Sequence, residues 1–581
     1  MKSYFPFLEW LPHYNLKWLQ GDLLAGLTVG VMLIPQGMAY GLLAGLEPIY
    51  GLYAGIIPLF LYAFFGTSRQ LSVGPVALVS LLVVAGISEF AEPGSARFLQ
   101  LAIATALIAG GIQILLGLFK LGFFINFLAH PVISGFTSAA AFIIGFSQIN
   151  NLLGLNVARS NQIHILVGRI IEQIQDVHLF TFLVGLGGII FMLVLRRINR
   201  AIPSALLAAV VGTIVVVVFQ LDTKGVAILG EVPKGLPAMK VPEISGSDFL
   251  DLLPLAITIC VISFIESLAI ARTLAAKHRD YKVSPDQELI ALGLTKLGGA
   301  FFQAFPTTGS FTRSAINNEA GAKTGMASIF AAILISLTLL FLTPLFFFLP
   351  KAILASIIVV ATLGLINYKE AFHLFKTDRR DFYILIATFV GTLTLGIQSG
   401  VLLGLVISIA IMVYRNAKPH FAVLGKLPNT QHYRNIDRFE EAIQQDEVLV
   451  VRFDAQLYFG NAAFFQNEME QLLKKKSQRL KCFILDASNI HDMDSSGVHA
   501  LQEVLFLLKQ RQIQFYIAGP IGPVRDTISR HGLLDQIGSA HCFLSTADAI
   551  DACTVQSLEK SSPNPSKILH TKLLGKSSSE K

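Results

Sequence analysis

Long apolar runs recur along the chain from Leu23 to about Val413, and they constrain its fold more than any other feature. An α-helix needs about 20 predominantly apolar residues to cross a bilayer. Runs near this length include Leu101–Leu118, Phe180–Leu195, Ala327–Leu349 and the shorter Val401–Val413. Only 14% of the residues are charged, whereas soluble domains carry about 25%. We therefore predict a polytopic α-helical membrane protein with roughly a dozen to fourteen spans, some of them short.

The basic residues are spread between the predicted spans, so the net charge of +7 does not predict a nucleic-acid partner. The main clusters are Lys120; Arg196, Arg197 and Arg200; Arg272, Lys277, Arg279 and Lys282; Lys376, Arg379 and Arg380; and Arg415 and Lys418. If the chain starts inside, all of them follow even-numbered spans and lie in the cytoplasm. We expect a multi-pass protein of the cell membrane with both termini cytoplasmic, and no removable signal peptide.

After Lys418 the composition changes to alternating strand and helix patterns. The predicted strands are Val448–Asp454, Cys482–Ser488 and Ile513–Ala518, and the predicted helices are 462–476, 497–510, Val524–His531 and Ala547–Val555. This alternation predicts a soluble α/β domain. The four cysteines show no CxxC spacing, so we expect neither a disulfide framework nor a metal site.

Two segments of the predicted membrane part share one plan. "SRQLSVGPVALVSLLV" (Ser68–Val83) has a polar lead, a Gly-Pro and a short apolar helix, and "FFQAFPTTGSFTRSAIN" (Phe301–Asn317) repeats this with Pro306 and Gly309. Paired Gly/Pro-interrupted segments in the two halves of a chain are typical of transporters with an inverted repeat. We expect their broken ends to meet near the membrane midplane.

Helices that begin near Val76 and near Ser310 inside the membrane would carry backbone N–H groups without partners. These groups and the helix dipole favour a bound anion. Arg313, on the first turn of the second helix, adds a charge that stays protonated at any working pH, and Ser310 and Thr312 add hydroxyl donors. We predict an anion-binding cradle here. The alternative is that Arg313 only reaches out to lipid phosphate.

Glu266 lies well inside the apolar segment "AITICVISFIESLAIAR". An ionised carboxylate is costly in such a place, so Glu266 can hold a proton near neutral pH. We interpret it as a candidate proton carrier, with a structural ion pair to Arg313 or Arg272 as the alternative.

In the first predicted span, Gln36 and Tyr40 are four residues apart and share one helix face. Both side chains can donate to an oxyanion, although polar residues in spans often only bond neighbouring helices. Pro35 precedes them and breaks the helix. We include Gln36 and Tyr40 among the candidate substrate-binding residues.

Several motifs resemble those of the SulP family of sulfate-permease-like anion transporters. "IPQGMAYGLLAGLEPIYGLYAGIIP" is similar to that family's first-span signature, and "SVGPVALVS" and "TGSFTRSAINNEAGAKT" to its third- and tenth-span motifs. "FILDASNIHDMDSSGVHAL" resembles a STAS domain. The resemblance implies seven plus seven spans with core and gate domains, a homodimer and a cytoplasmic STAS domain.

The resemblance also implies roles for individual residues. The substrate-binding set is Gln36, Tyr40, Val76, Ala77, Ser310, Phe311, Thr312 and Arg313. Glu266 matches the carboxylate of proton-coupled carriers, and Ser496 matches the serine that is phosphorylated in some STAS domains, where Asp494 and Ser495 also fit a helix N-cap. We expect four segments: a cytoplasmic N-terminal segment (1–20), a transmembrane transporter domain (21–418), a STAS domain (432–556) and a flexible tail (557–581).

Four functions are compatible with these patterns. The leading one is proton-coupled symport of a small inorganic anion, most of all sulfate, with protons and the lipid bilayer as its other partners. The second is transport of bicarbonate, a dicarboxylate, nitrate or chloride by sodium symport or exchange. The third is a membrane sensor that signals through the STAS domain, and the fourth is a membrane enzyme. The chain lacks a GxxxxGK[ST] motif and paired-Asp or His-rich motifs at the span ends, so we expect no catalytic residues and no cofactor.

Overall fold

The computed structural model describes residues 5–123, 130–155, 163–199, 202–242, 245–476 and 479–559. Contacts divide the chain into two units, Met1–Ile409 and Ala410–Lys581. The predicted tail lies outside the described residues from position 560 onwards.

The first unit is built of helices that we number as spans. They are α1 (Leu16–Leu43), α2 (Pro48–Phe65), α3 (Ala77–Ile87), α4 (Ala96–Leu118), α5 (His130–Leu153), α6 (Leu179–Ile198), α7 (Ser204–Phe219), α8 (Gly246–His278), α9 (Pro285–Phe301), α10 (Phe311–Glu319), α11 (Met326–Phe346), α12 (Lys351–Thr362), α13 (Arg379–Leu395) and α14 (Ile397–Ala417). Further helices are Phe7–Trp10, Ile163–Glu172 and Tyr368–Thr377. Eight stretches of helix in the described residues are long and apolar enough to cross a membrane, one of them Lys351–Thr377, which includes α12. Others, such as α3 and α10, are short. The arrangement agrees with the predicted seven-plus-seven transporter fold.

Glycines let some of these helices approach each other closely. A Cβ atom on Gly110 of α4 would lie 2.7 Å from the carbonyl oxygen of Gly293 on α9, and one on Gly293 would lie 2.7 Å from the carbonyl oxygen of Gly110. Small residues at such crossings allow backbone-to-backbone packing between membrane helices. Side chains of α4 that lie near this crossing can therefore contact side chains of α9 directly.

The two interrupted segments meet, as predicted. β1 (Val73–Gly74) pairs antiparallel with β2 (Thr308–Gly309), with Val73 opposite Gly309. β1 leads into α3 and β2 leads into α10. Because each strand precedes a helix directly, the pairing brings the first turns of both short helices to one place.

The described residues of the second unit contain a six-stranded sheet. Its strands are β3 (Phe421–Lys426), β4 (Tyr433–Asn435), β5 (Val448–Phe453), β6 (Cys482–Asp486), β7 (Gln514–Ala518) and β8 (Cys542–Phe543), in the order β4-β3-β5-β6-β7-β8. The helices are α15 (Ala462–Lys475), α16 (Ser495–Gln510), α17 (Gly522–Arg530), α18 (Leu533–Ile537) and α19 (Thr546–Glu559). β5 to β8 are parallel, whereas β3 is antiparallel to β4 and β5. The predicted α/β alternation is confirmed.

Two features of this unit were not expected from the sequence. β3 pairs with β5 from Phe421 onwards, so the sheet includes residues before position 432, where we expected the domain to start. Cys482 on β6 and Cys553 on α19 form a disulfide, although their spacing matches no known motif. The sheet and the helix that covers it bring these two cysteines together.

Candidate functional site

The β1–β2 pairing is reinforced by hydrogen bonds on both sides. The backbone N–H of Ser310 donates to the carbonyl oxygen of Ser72 at 3.0 Å, and the N–H of Ser72 donates to Oγ of Ser314 at 2.9 Å. Val76 and Ser310 are the N-cap residues of α3 and α10, and Oγ of Ser310 accepts from the N–H of Arg313 at 3.4 Å. Other first-turn N–H groups have no partner within their own helix. Two positive helix ends are therefore adjacent.

Helix α8 holds β2 in place through two serines. The N–H of Gly309 donates to Oγ of Ser267 at 2.9 Å, and Oγ1 of Thr308 donates to the carbonyl oxygen of Ser263 at 3.0 Å. A Cβ atom on Gly309 would lie 2.9 Å from Oγ of Ser267 and 2.9 Å from Cδ1 of Leu71. Only glycine fits at this approach between β2, α8 and the lead to β1.

Arg313 is the largest fully buried side chain in the described part of the chain, at 0% exposure. Its Nη1 donates to the carbonyl oxygen of Pro75 at 2.9 Å, and its Nε donates to Oγ of Ser72 at 3.4 Å. Its Nη2 has no hydrogen-bond partner among the described residues, and a Cβ atom on Gly74 would lie 3.2 Å from it. The alternative in which Arg313 reaches lipid phosphate is wrong, because the guanidinium is enclosed by protein. Arg313 links the two half-helices and keeps one donor unused.

Glu266 lies on α8 with its Oε2 enclosed and without a hydrogen-bond partner in the described ranges. In that part of the chain Glu266 forms no direct ion pair with Arg313 or Arg272. The alternative role of Glu266, as one half of a structural ion pair, is therefore not found. Glu266 and Arg313 nevertheless interact electrostatically. The carboxyl group and the guanidinium therefore influence each other's charge without a direct ion pair.

Gln36 and Tyr40 are both buried in α1, at 3% and 6% exposure. Tyr40 interacts electrostatically with Arg313 and Glu266. One turn of helix separates it from Gln36. Tyr40 of α1, Glu266 of α8 and Arg313 of α10 are thus within electrostatic range of one another.

The other candidate residues of the membrane part lie at the two helix starts. Val76 and Ala77 are buried at the beginning of α3. Phe311 and Thr312 are exposed on the first turn of α10, with Phe311 at 60%. At the meeting point of the two half-helices, the first residues of α10 are thus accessible, whereas the side chain of Arg313 is enclosed.

The residues that hold the two half-helices together were not recognised in the sequence. They are Ser72, Pro75, Ser263, Ser267, Thr308 and Ser314. A signal was present for two of them, because Ser263 and Ser267 are four residues apart on an otherwise apolar helix and share one face. The partners of that face could not be deduced without the tertiary structure.

Ser496 lies in the second unit, on the first turn of α16. It borders a cavity of about 300 Å³ together with Ala463, Gln466 and His499. Oδ1 of Asp494 accepts from the N–H of Gly497 at 2.8 Å and caps this helix, so the expected capping role of Asp494 is confirmed. Phosphorylation of Ser496 stays a prediction.

The fold and the paired half-helices define a class, that of multi-pass transporters with an inverted repeat. The family model of the sulfate permease family matches residues 19–388, and that of the STAS domain matches residues 441–549. The chain belongs to the sulfate permease family.

Similar proteins include plant sulfate transporters. Sulfate transporter 4.1, chloroplastic, of Arabidopsis thaliana is 40% identical over 94% of this chain and 82% of its own length. High affinity sulfate transporter 2 of Stylosanthes hamata is 36% identical over 94% of this chain and 86% of its own length.

Solved structures with a similar fold include an animal anion transporter. That of murine Solute Carrier 26 family member A9, an anion transporter in the inward-facing state, aligns with a TM-score of 0.88 at 25% identity, over 95% of this chain and 94% of its own. The transmembrane domain of a cyanobacterium bicarbonate transporter aligns with a TM-score of 0.60 at 23% identity, over 68% of this chain and 98% of its own, and supports the fold alone.

Proposed function

We propose that this chain is a secondary active transporter that carries an inorganic anion, sulfate, together with protons. The observation that carries the proposal is the meeting of two helix N-termini beside a buried arginine that has one unpaired donor, Nη2 of Arg313. Helix N-termini and a guanidinium both favour an oxyanion. The names of the relatives support sulfate as that oxyanion.

The anion is proposed to bind at the open start of α10. Backbone N–H groups of α3 and α10 provide donors, beginning at Ala77 and Phe311, and the hydroxyl groups of Ser310 and Thr312 add two more. Gln36 and Tyr40 contribute from α1. Such donors suit an oxyanion that has four acceptor atoms and must shed its water.

Coupling is proposed to run through Glu266. When the site is empty, the charge of Arg313 favours the ionised carboxylate of Glu266 by electrostatic attraction. A bound anion neutralises this charge, so Glu266 then binds a proton more readily. By reciprocity, protonation of Glu266 favours anion binding to the same extent.

The organisation of the whole chain follows the same proposal. We assign residues 1–20 to a cytoplasmic segment, 21–418 to the transporter and 432–556 to the STAS domain, whose sheet also includes β3 (Phe421–Lys426). The basic clusters after even-numbered spans support a cell-membrane protein with both termini in the cytoplasm. A homodimer is the proposed assembly.

The test is uptake of labelled sulfate into proteoliposomes. A pH step that makes the inside alkaline should drive accumulation above the equilibrium level by wild type. Glu266→Gln, which resembles the protonated state, should still bind sulfate but accumulate much less of it under the pH step. Glu319→Gln is the matched control, because Glu319 is an exposed carboxylate on α10, and it should behave as wild type.

The same vesicles separate the alternatives. Accumulation driven by a sodium gradient would indicate sodium symport instead of proton symport. Accumulation that requires a preloaded anion would indicate exchange. Absence of any uptake of sulfate, bicarbonate, succinate, nitrate or chloride would favour the sensor. Full pH-driven accumulation by Glu266→Gln would show that Glu266 is not the coupling residue.

A further inference from the structure

Lys296 on α9 is a further ionisable side chain that is buried in the membrane part, at 1% exposure. It belongs to none of the motifs that define the candidate site. A charged lysine in the apolar interior of a membrane protein is costly and is found mainly at functional positions. Its surroundings therefore need an explanation.

Close packing of α4 and α9 sets the position of Lys296. Gly110 and Gly293 make the two backbones touch. The two helices are antiparallel, because a Cβ atom on Gly110 would lie 3.1 Å from Cβ of Lys296, whereas one on Gly117 would lie 2.8 Å from the carbonyl oxygen of Asp286. Gln113 and Lys296 therefore lie on opposite sides of the crossing, and the long lysine side chain reaches back across it. Nζ of Lys296 donates to Oε1 of Gln113 at 2.9 Å. The glycine crossing leaves the amine pointing at this amide.

Among the charged side chains described on α4, α8 and α9, Glu288, Arg97 and Asp248 bond to groups other than Lys296, and Glu266 of α8 forms no ion pair with it. On α8 the thiol of Cys260 interacts electrostatically with Lys296. Glu288, on α9 itself, accepts hydrogen bonds from Tyr62 of α2 and from Thr67. On α4, Arg97 pairs with Asp248 of α8.

Lys296 thus has no carboxylate partner in the described residues. An ammonium has three donors and a full charge, whereas a neutral amine needs far less compensation. A single amide oxygen suits the neutral amine.

A chain of hydrogen bonds leads from Lys296 to the candidate site. Nε2 of Gln113 donates to Oγ of Ser263 at 3.0 Å and to the carbonyl oxygen of Cys260 at 2.9 Å. The carbonyl oxygen of Ser263 accepts from Oγ1 of Thr308 on β2 at 3.0 Å. The strand held by this contact ends next to Ser310, where α10 begins. Lys296 is therefore connected to the start of α10 through Gln113, Ser263 and Thr308.

We propose that Lys296 is a second proton-binding residue of the transport cycle, whose neutral amine takes up a proton when the anion binds at the start of α10. The proton comes from the solution, adds to the lone pair of Nζ, and leaves when the anion leaves. Negative charge acts over a longer range in a low-dielectric interior than in water, so the anion compensates for the ammonium. This inference rests on the proposed function and adds a second proton-binding group to it, a basic one in addition to the carboxyl group of Glu266.

The experiment counts the protons that the full-length protein takes up when it binds sulfate. Calorimetric titration of the purified protein with sulfate, in buffers of different ionisation enthalpy, measures this number. Lys296→Met keeps the apolar stem and removes the amine, so uptake should fall by up to about one proton per sulfate. Lys282→Met is the control, because Lys282 is exposed, and it should match wild type.

A second variant keeps the lysine. Gln113→Glu places a carboxylate beside Nζ, and the resulting ion pair should hold Lys296 permanently protonated. The same loss of proton uptake is then expected although the amine is still present. This result would not follow if Lys296 only filled space, because a packing residue has no effect on the number of protons bound.

The outcomes separate this inference from the proposed function. If wild type takes up protons and neither Lys296→Met nor Gln113→Glu lowers the number, Lys296 is not a proton-binding residue. If Glu266→Gln alone lowers it, proton coupling stands and this inference is overturned. If wild type binds sulfate without proton uptake, the proposed coupling itself fails.

Discussion

Arg313 connects the two interrupted segments at the scale of a single residue. Its side chain starts on α10 and donates to Pro75 and Ser72, which precede α3. A planar guanidinium can serve two acceptors in different directions and still present a third donor. The same residue thus assembles the cradle and leaves Nη2 unpaired beside it.

Replacement of Arg313 should therefore weaken sulfate binding strongly. Hydrogen bonds to charged groups contribute about 1.5–3 kcal/mol each, so Arg313→Ala should lower the affinity by roughly 10- to 150-fold or abolish binding. Arg313→Lys should restore it only in part, because one ammonium cannot copy the planar fork. Calorimetric titration with sulfate measures both variants.

Arg69→Ala is the control for this experiment. Arg69 lies on the same lead but is bonded to Asp280 at 3.0 Å, in a partly exposed ion pair. Its loss should change sulfate affinity little, because exposed ion pairs contribute about 1 kcal/mol or less. An Arg313→Ala protein that is folded and binds sulfate as wild type does would refute the cradle.

At the scale of elements, the site depends on two strands of two residues each. Such short strands have little stability of their own. Their geometry is set by contacts with α8, chiefly the bond from the N–H of Gly309 to Ser267. The position of the α10 helix start is therefore controlled by α8, the helix that also carries Glu266.

Gly309→Ala tests this dependence. The added methyl group would lie 2.9 Å from Oγ of Ser267 and 3.2 Å from its Cα, so β2 must shift. Overpacking of this kind costs about 1–3 kcal/mol, and we expect a lower unfolding temperature and a marked loss of sulfate uptake.

Gly111→Ala is the matched control, because a Cβ atom there meets nothing within 4 Å. It should leave sulfate uptake unchanged when it is reconstituted into vesicles in the same way. Alanine is favoured over glycine in a helix by up to about 1 kcal/mol, so its unfolding temperature should not fall. Equal uptake by both variants would mean that the contact of β2 with α8 does not position the site.

At the scale of the whole molecule, the proposed ligands all precede residue 314, whereas the sheet starts at Phe421. We predict that removing the second unit impairs assembly or activity but preserves the order of anion preference. The truncation should follow Lys418, because ending at 432 would leave β3 without its partner β5. Competition for sulfate uptake by bicarbonate, succinate, nitrate and chloride measures the order. A changed order would show that the second unit shapes the binding site.

Much of the architecture could be predicted from the sequence, because it depends on local patterns. Apolar length indicates membrane spans, and the period of the apolar residues distinguishes strands such as Val448–Phe453 from helices such as Ala462–Lys475. The interrupted segments were recognisable from Gly and Pro, which act on the backbone of their own neighbourhood. Arg313 and Glu266 stood out because a charge in an apolar segment is costly whatever surrounds it.

The tertiary structure alone decided which groups meet. Ser72 and Pro75 are more than 200 positions from Arg313 in the chain, and no local pattern assigns them as its acceptors. The disulfide between Cys482 and Cys553 likewise depends on how α19 covers the sheet. In the sequence, Lys296 is indistinguishable from an exposed lysine near the end of a helix. In the structure it is buried, because Gly110 and Gly293 allow α4 and α9 to pack closely around it. Long-range packing determines whether a charge is solvated, paired or left available, and composition and periodicity carry no information about that.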